Sequence, residues 1–251
     1  MQPLRLIPGA EPFFFAGGEG GCLLVHGFTA TPNEVRPLGR YLAGRGYTVL
    51  GPRLAHHGVD AADMNRSRWH DWYLSALDGW HLLQDQCRQI AVVGISMGGA
   101  TALLLAARQP VAAVVAMSTP IHLPLTPLYL FARAVAALRP LWPKQAWDES
   151  QRASRYDQLP VRAVAELRAY LKVVERALPA VTAPALLIHS RADATVPPHN
   201  LARIYRRLWS VQHKEKWLLQ EGQHVLTEDA RIQEAVFARV ATFIEASTRQ
   251  E

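Results

Sequence analysis

The sequence predicts a mostly parallel α/β sheet with helices on both faces and a helical insertion in the second half of the chain. Short apolar runs rich in β-branched residues alternate with longer segments whose apolar residues recur every three or four positions. Strands separated by helices imply crossover connections, which join parallel strands. With 251 residues and 49% hydrophobic content, the chain is long enough for one large α/β domain or two small ones.

The first hundred residues contain the clearest alternation. Residues 12–21 predict a phenylalanine-rich edge strand, and 22–29 a buried strand that runs into a glycine turn. Thr31, Pro32 and Glu34 have the form of a helix start, with Thr31 as cap and Glu34 reaching back to it. Pro37 complicates this start, so the regular helix is expected only from Pro37 up to Gly44. Residues 47–51 predict the next strand and 52–65 a loop. An amphipathic helix is expected over 68–87, because its large apolar residues share one stripe: Trp69, Trp72, Ala76, Trp80, Leu83 and Cys87.

The remaining strands are expected at 111–117, 182–189 and 214–219, followed by an amphipathic helix over 230–247. The segment from Ser118 to Val181 interrupts this alternation. It contains no predicted strand; five prolines punctuate short helices, and a longer helix follows over 161–178. A crossover needs only about a dozen residues, so we predict a core of residues 1–117 and 182–251 with a helical cap at 118–181. The alternative is a surface elaboration with no role at a site.

Composition argues against several function classes. The net charge is +6, but the basic residues are scattered, and the densest set, Arg203, Arg206 and Arg207, has the spacing of a solvated helix face. We therefore expect no nucleic-acid partner. Two cysteines, Cys22 and Cys87, favour free thiols in a reducing compartment. No apolar run approaches the ~20 residues of a membrane span, and no signal peptide is recognisable, so we expect a cytoplasmic protein without stable membrane insertion.

The most informative motif follows the apolar run at 89–93. It reads Gly94-Ile95-Ser96-Met97-Gly98, and an Ala/Leu-rich helix follows it. Glycines two residues either side of Ser96 allow the backbone to reverse where a Cβ atom would collide. Strand, sharp turn and helix in this order predict a nucleophile elbow with Ser96 at its tip.

A serine hydroxyl needs a base within hydrogen-bond reach, and that base needs an acceptor that fixes its tautomer. Asp193 lies in the loop after the strand predicted at 182–189, and His224 in the loop after the strand at 214–219. The carboxyl ends of parallel strands share one sheet edge, where both loops should lie near Ser96. The chain order Ser, Asp, His is that of the α/β-hydrolases.

Four motifs together carry a family resemblance: His26-Gly27-Phe28-Thr29, Gly94-Ile95-Ser96-Met97-Gly98-Gly99, Asp193 with Val196-Pro197, and Gly222-Gln223-His224-Val225. The chain resembles the bacterial carboxylesterase and monoacylglycerol lipase branch of the α/β-hydrolase fold over nearly its whole length. The resemblance implies Ser96 as nucleophile, Asp193 as acid, His224 as base, and the backbone N–H groups of Phe28 and Met97 as the oxyanion hole. It implies no cofactor or metal.

The chain departs from this resemblance at Ala55-His56-His57-Gly58, where relatives tend to have Pro-Gly-His-Gly. His56 therefore replaces a glycine. His26 is expected to support the oxyanion turn by packing and a hydrogen bond. His56, His57, His70 and His81 lack a carboxylate at metal-ligand spacing, which argues against zinc.

The expected activity is hydrolysis of small-molecule carboxylic esters with short to medium acyl chains, through an acyl-enzyme. The candidate substrate pocket comprises His122, Leu123, Leu125 and Trp142. A monoacylglycerol lipase is an alternative, as is a non-catalytic scaffold that binds a ligand or partner. Thioester, amide and carbon–carbon hydrolysis use the same machinery and stay open. Monomer and homodimer are both compatible with the sequence.

Overall fold

The computed structural model describes residues 6–123, 126, 131–143 and 156–248 of the 251-residue chain. Its strands are β1 (Phe13–Phe15), β2 (Gly20–Val25), β3 (Thr48–Gly51), β4 (Gln89–Ile95), β5 (Ala113–Met117), β6 (Leu141–Pro143), β7 (Gln158–Pro160), β8 (Ala185–Ser190) and β9 (Lys214–Leu219). Seven strands form the main sheet in the order β1-β3-β2-β4-β5-β8-β9. Only β1 runs antiparallel within it, at the edge beside β3. The predicted mostly parallel sheet and its phenylalanine-rich edge strand are confirmed.

The helices are α1 (Arg36–Ala43), α2 (Ala61–Met64), α3 (Trp69–Gln84), α4 (Met97–Ala106), α5 (Ala132–Leu138), α6 (Val161–Ala177), α7 (His199–Arg207) and α8 (Gln233–Thr248). Side chains of successive strand residues enter two separate cores, as the two-residue period of a strand requires. Val92 packs in the core that contains α3, α4 and α6. Val93 packs in the core that contains α1 and α8. Helices therefore cover both faces, as predicted, and the buried thiols of Cys22 and Cys87 are free.

Two local predictions near the N-terminus are wrong. Residues Pro32–Glu34 form a short 3₁₀ turn, and Thr31 makes no side-chain cap. The regular helix begins at Arg36, one residue before the start expected at Pro37. Glu34 does not reach back to Thr31, because its carboxyl group accepts the N–H of Gly27 instead. The segment 52–65 also contains the one-turn helix α2, whose N-cap Asp60 accepts the N–H of Asp63.

The prediction of no strand between Ser118 and Val181 is also wrong. β6 and β7 pair antiparallel as a separate two-stranded sheet, with Leu141 opposite Pro160 and Pro143 opposite Gln158. Each strand has three residues and ends in proline, a residue depleted in strands. Neither segment is long enough to show an alternating pattern.

Helix α6 falls within the segment predicted as a cap, but it packs in the core of the molecule. Leu167 and Tyr170 are buried in the same core as α3 and α4, and the Tyr170 hydroxyl donates to Thr101 Oγ1 at 3.0 Å. α6 is therefore a helix of the layer that covers the sheet. Within the predicted range 118–181, the part that remains a candidate cap is residues 118–160.

The register of the central strands positions the site. Ile95 pairs with Met117, Met117 with Ile188, and Ile188 with Trp217. The carboxyl ends of β4, β5, β8 and β9 are therefore aligned at one edge of the sheet. The loops that follow them begin close together, which is where open α/β sheets bind ligands.

Candidate active site

Ser96 is the single residue between the end of β4 and the start of α4. Its backbone has φ 54° and ψ −122°, a conformation that costs a residue with a Cβ atom about 1–3 kcal/mol. A Cβ atom on Gly94 would lie 2.1 Å from the carbonyl oxygen of Gly98, and one on Gly98 would lie 2.0 Å from that of Val25. Both glycines are thus required by close backbone contacts. The Ser96 N–H donates to Met117 O at 2.8 Å, which ties the turn to β5.

Asp193 lies three residues beyond β8 and is buried. Its Oδ1 accepts the N–H groups of Thr195 at 2.9 Å and Val196 at 2.8 Å, while Oδ2 lies 2.8 Å from His224 Nδ1. Burial raises the pKa of Asp193, but hydrogen bonds from His189 and His224 outweigh it, and the pKa lies well below its ordinary value. The carboxyl group is therefore ionised at neutral pH.

The loop after β9 carries His224 and is held by hydrogen bonds at the two residues before it. The Ser190 hydroxyl at the end of β8 donates to the carbonyl of Gly222 at 2.5 Å. The N–H of Gln223 donates to Asp229 at 3.0 Å. Because His224 Nδ1 faces the Asp193 carboxylate, Nδ1 carries the proton and Nε2 is left as the basic nitrogen.

Asp229 is the other carboxylate near this loop. It forms an ion pair with Arg231 at 2.6 Å, and this contact, more than any other, lowers its pKa to about 2. Its side chain faces Arg231 and the backbone of Gln223. The carboxylate that contacts the His224 ring is Asp193.

His189 is a second imidazole against Asp193, and the sequence analysis assigned it no role. Its Nε2 lies 3.2 Å from Asp193 Oδ2 and 3.0 Å from the carbonyl of Val196. The side chain is only 1% exposed. The sequence signal for this contact is a histidine at a strand end, four residues before the aspartate. It is not sufficient, because strand twist and loop conformation decide whether the two side chains meet.

The candidate oxyanion donors belong to two segments that meet at Ser96. Met97 is the first residue of α4, where N–H groups have no acceptor within the helix. Phe28 follows β2, and its ring packs edge-on against Trp72 with centroids 5.7 Å apart. The preceding residue lies against the nucleophile, since a Cβ atom on Gly27 would be 3.3 Å from Ser96 Cβ.

His26 supports this turn, as predicted. Its Nδ1 lies 2.9 Å from the Gly27 carbonyl, and its Nε2 accepts the N–H of Leu54 at 3.2 Å. Nδ1 therefore carries the proton in the neutral ring. Burial lowers the pKa of His26 to about 4, so the ring stays neutral at physiological pH.

The predicted pocket residues have different surroundings. His122 faces Glu175 of α6 at 3.1 Å, and its N–H donates to Asn200 at 2.9 Å; these polar contacts go to α6 and α7, not to Ser96 or His224. Leu123 is half-buried against the core. Trp142 is 39% exposed, with Arg139 stacked on its ring. Leu125 lies outside the described residues.

A cleft of about 860 Å³ lies between the start of α3, α5 and the start of α6. Its lining includes Trp69 and the exposed Arg66, Arg68, Arg133 and Arg162. Ser96, Asp193 and His224 are not among its lining residues.

One histidine in the loop after β3 has a carboxylate partner. His56 Nδ1 lies 3.1 Å from Asp63 Oδ2, a pairing that the sequence did not predict. Within residues 6–123, 126, 131–143 and 156–248, no three His, Cys, Asp or Glu side chains are grouped to hold a metal ion. No helix in the same ranges is long and apolar enough to cross a bilayer.

Fold and sequence together define an α/β hydrolase. The sequence profile of the alpha/beta hydrolase family matches residues 22–238, and the chain belongs to this family. A thermostable monoacylglycerol lipase from Bacillus sp. (strain H-257) is 34% identical over 235 residues, which is 89% of this chain and 90% of that protein. A carboxylesterase from Bacillus subtilis (strain 168) is 28% identical over 225 residues, 87% and 90% of the two chains.

Solved structures agree with this assignment. A chain from a study of LipS and LipT, two metagenome-derived lipolytic enzymes, superimposes with a TM-score of 0.90 at 32% identity, covering 96% of this chain and all of that one. The monoacylglycerol lipase of Paleococcus ferrophilus has the same fold, with a TM-score of 0.73 at 19% identity over 94% and 98% of the two chains. The predicted resemblance to the bacterial carboxylesterase and monoacylglycerol lipase branch is confirmed.

Proposed function

We propose that this protein is a serine hydrolase that cleaves carboxylic esters through an acyl-enzyme, with Ser96 as nucleophile, His224 as base and Asp193 as acid. The observation that carries the proposal is the 2.8 Å contact between His224 Nδ1 and a buried Asp193 carboxylate. That contact leaves Nε2 as the basic nitrogen, in a loop at the sheet edge where Ser96 is held in a strained turn.

In the proposed reaction, His224 takes the proton of Ser96 Oγ as the oxygen attacks the ester carbonyl. The N–H groups of Phe28 and Met97 bind the oxyanion, and one such donor is typically worth about 3 kcal/mol. His224 then protonates the leaving alcohol. In the second half-reaction it activates a water molecule, which releases the acid and restores Ser96. No metal or cofactor takes part.

A non-catalytic scaffold is the competing class of function. Two features argue against it. A binding module gains nothing from a serine that costs about 1–3 kcal/mol in backbone strain. It also has no need of a buried carboxylate that fixes the tautomer of a neighbouring histidine.

For the substrate, we propose small-molecule esters with short to medium acyl chains, bound beneath residues 118–160. Monoacylglycerol is the second candidate. The relative at 34% identity is a monoacylglycerol lipase, and the superimposed chain at 32% identity comes from a study of lipolytic enzymes. Both candidates require the same three side chains and differ only in the pocket.

Labelling of the nucleophile tests the mechanism. A serine-directed fluorophosphonate should add once, at Ser96, with loss of ester hydrolysis. Ser118 and Ser190 are the internal controls, because both are buried and both lie at the carboxyl ends of strands at the same sheet edge: Ser118 follows β5, and Ser190 is the last residue of β8. An adduct on either of them, found by peptide mass spectrometry, would refute the assignment.

A matched pair of substitutions tests the acid. Asp193→Asn should lower kcat by about 10⁴-fold, since an amide cannot hold the base in its reactive tautomer. Asp229→Asn removes a carboxylate from the loop that carries His224. Because Asp229 pairs with Arg231, this change should alter kcat by less than about 10-fold. A larger loss of kcat in Asp229→Asn than in Asp193→Asn would move the acid to Asp229.

Substrate preference is measured separately. Hydrolysis rates over nitrophenyl esters of increasing length, with monoacylglycerols alongside, separate an esterase from a lipase.

A further inference from the structure

Glu34 is a buried carboxyl group that the proposed chemistry does not use. It ends the 3₁₀ turn Pro32–Glu34 and is only 4% exposed. A carboxyl group at this depth costs several kcal/mol unless it is hydrogen-bonded. Its Oε2 accepts the N–H of Gly27 at 2.6 Å, so its side chain is committed to the turn after β2.

Gly27 lies between Glu34 and the proposed nucleophile. The position that a Gly27 Cβ would occupy is 3.2 Å from Glu34 Oε2 and 3.3 Å from Ser96 Cβ. The next residue in the chain is Phe28, whose N–H is a proposed oxyanion donor. A small displacement of Gly27 therefore changes the position of that donor relative to Ser96.

Both peptide groups of Gly27 are fixed by side chains. Glu34 accepts its N–H, and His26 donates to its carbonyl at 2.9 Å. That carbonyl belongs to the same peptide plane as the N–H of Phe28. His26 therefore orients the peptide plane of the Phe28 N–H, while Glu34 holds Gly27 from outside the turn.

Glu34 is also anchored to the loop of the proposed base. The Thr227 hydroxyl, three residues after His224, donates to the main-chain carbonyl of Glu34 at 2.6 Å. The two residues are 193 positions apart in the chain. Glu34 is thus a direct connection between the turn that carries Phe28 and the loop that carries His224.

We propose that Glu34 is a positioning residue for ester hydrolysis: it holds the Gly27–Phe28 turn in place against Ser96 and ties it to the His224 loop. This inference rests on the function proposed above. It concerns geometry, since Glu34 itself touches no reacting atom.

The charge of Glu34 matters for this role. Burial raises its pKa to about 8, partly offset by the Gly27 N–H and reinforced by the negative charge of Glu228. Burial also raises the pKa of Glu228 to about 7. Among the described residues, Glu228 is the titratable group whose charge acts on Glu34. His26, which bonds the Gly27 carbonyl, stays neutral. At neutral pH, Glu34 accepts the hydrogen bond mostly as an uncharged acid, without placing a full negative charge near the forming oxyanion.

Two substitutions at this position test the proposal. Glu34→Ala removes the acceptor and should lower kcat by about 10- to 100-fold at pH 7, the range for a displaced catalytic group, with little change in KM. Glu34→Gln keeps an acceptor oxygen and should restore kcat to within about 3-fold of the natural protein. Glu19→Gln, in a surface pair with Arg88, is the matched control. Equal loss in both Glu34 variants, or no loss in either, would overturn the proposal.

The pH profile gives a readout that a merely structural role would not move. In the natural protein, kcat should fall as pH rises through about 8, because Glu34 ionises. Glu34→Gln should abolish this fall. Glu228→Gln should move it to lower pH, since loss of the Glu228 charge lowers the pKa of Glu34. A fall that persists in Glu34→Gln contradicts the proposal.

Hydrogen exchange separates this inference from the proposed function. Glu34→Ala should speed amide exchange in residues 26–30, because it removes the acceptor of the Gly27 N–H. Thr227→Val should speed exchange in 224–228, because it removes the donor to the main-chain carbonyl of Glu34. Glu34→Gln and Glu19→Gln should change neither. A protein that lacks esterase activity but shows this pattern would refute the function and keep the positioning role. Unchanged exchange in both Glu34→Ala and Thr227→Val would refute the positioning role. If Glu34→Ala does not fold, the Glu34→Gln pH profile and Thr227→Val exchange decide the matter.

Discussion

At the scale of single residues, His56 shows how a backbone conformation depends on residue type. Among the described residues, four other than glycine have positive φ: Thr29, His56, Ser96 and Ser118. His56 has φ 63°, the left-handed region that favours glycine, and relatives of the branch that this chain resembles tend to have glycine there. The imidazole compensates in part by pairing with Asp63 at 3.1 Å.

Comparison of glycine with alanine isolates the cost of the Cβ atom. His56→Gly and His56→Ala both lose the Asp63 pair, but only alanine retains the left-handed strain of about 1–2 kcal/mol. Glycine gives back about 0.4–1 kcal/mol through its more flexible unfolded chain. We therefore expect His56→Gly to be the more stable variant by about 0.5–1 kcal/mol in urea unfolding. An alanine variant of equal or greater stability would mean that the loop relaxes away from φ 63°.

Residues in the proposed triad could be found from the sequence, whereas Glu34 and His189 could not. Ser96 and Asp193 each follow a strand with a strong apolar signal, and His224 follows the predicted edge strand Lys214–Leu219. The topology of a parallel sheet brings such positions to one edge. The hydrogen bond between Glu34 and Gly27 depends instead on the exact path of the turn after β2. The acidic residue three positions after Thr31 fitted a helix cap equally well, and only the tertiary contact distinguishes the two.

At the scale of elements, prediction succeeded where burial imposes a pattern over many residues. β4, β5 and β8 are apolar on both faces, and α3 shows its stripe over four turns. β6 and β7 have three residues each and pair with each other, so neither is long enough to show a periodic sequence pattern. The position of α6 is also a tertiary property: its apolar stripe predicts a buried face but not the elements against which it packs.

The segment 118–160 is the element whose proposed role needs a direct test. Phe28 packs against a small apolar cluster made by Ala132 of α5 with Val161 and Val164 of α6. The side chain of a proposed oxyanion residue thus packs against a cluster to which α5, in the proposed cap, contributes Ala132. This contact supports the proposal that the segment borders the substrate pocket.

Chain-length preference measures that role. Each added CH₂ that is buried should contribute up to about 0.8 kcal/mol until the pocket is full. Leu123→Ala removes a half-buried side chain and should move the optimum to longer esters without loss of acetate hydrolysis. Trp142→Ala is the comparison, since 39% of Trp142 is exposed and its ring carries Arg139; we expect a smaller shift. If neither profile moves, the segment is a surface elaboration.

At the scale of the whole molecule, buried acids and buried histidines oppose each other in the dependence of stability on pH. Burial lowers the pKa values of His26 and His57 from 6.5, to about 4 for His26, so their contribution is lost as pH falls below 6.5. Burial raises the pKa of Glu34 from 4.5 to about 8 and that of Glu228 to about 7. Their contribution is complete below pH 4.5 and is lost as pH rises through 7 to 8.

As pH rises from about 4.5 to 6.5, the stability gained from the two histidines cancels the stability lost from the two glutamates. Above pH 6.5, the loss from the glutamates continues without that compensation. We expect the midpoint of thermal unfolding, Tm, to be nearly constant over the first interval and to fall above it. Each buried acid that takes up a proton on folding contributes up to about 1.4 kcal/mol per pH unit. For a chain of this size, that amounts to a Tm decrease of about 4–8 °C between pH 6.5 and 8 from Glu34 alone.

Glu34→Gln carries no ionisable group at this position, so its Tm should fall less steeply than that of the natural protein over this interval. The difference between the two proteins should be small at pH 5 and grow in favour of the variant up to pH 8. Glu19→Gln, a surface acid 66% exposed, should follow the natural protein at every pH. Differential scanning fluorimetry over this range, with calorimetry at pH 5 and 8, provides the measurement. Parallel Tm curves for Glu34→Gln and the natural protein would show that Glu34 is already ionised at neutral pH, with its charge stabilised by the Gly27 N–H.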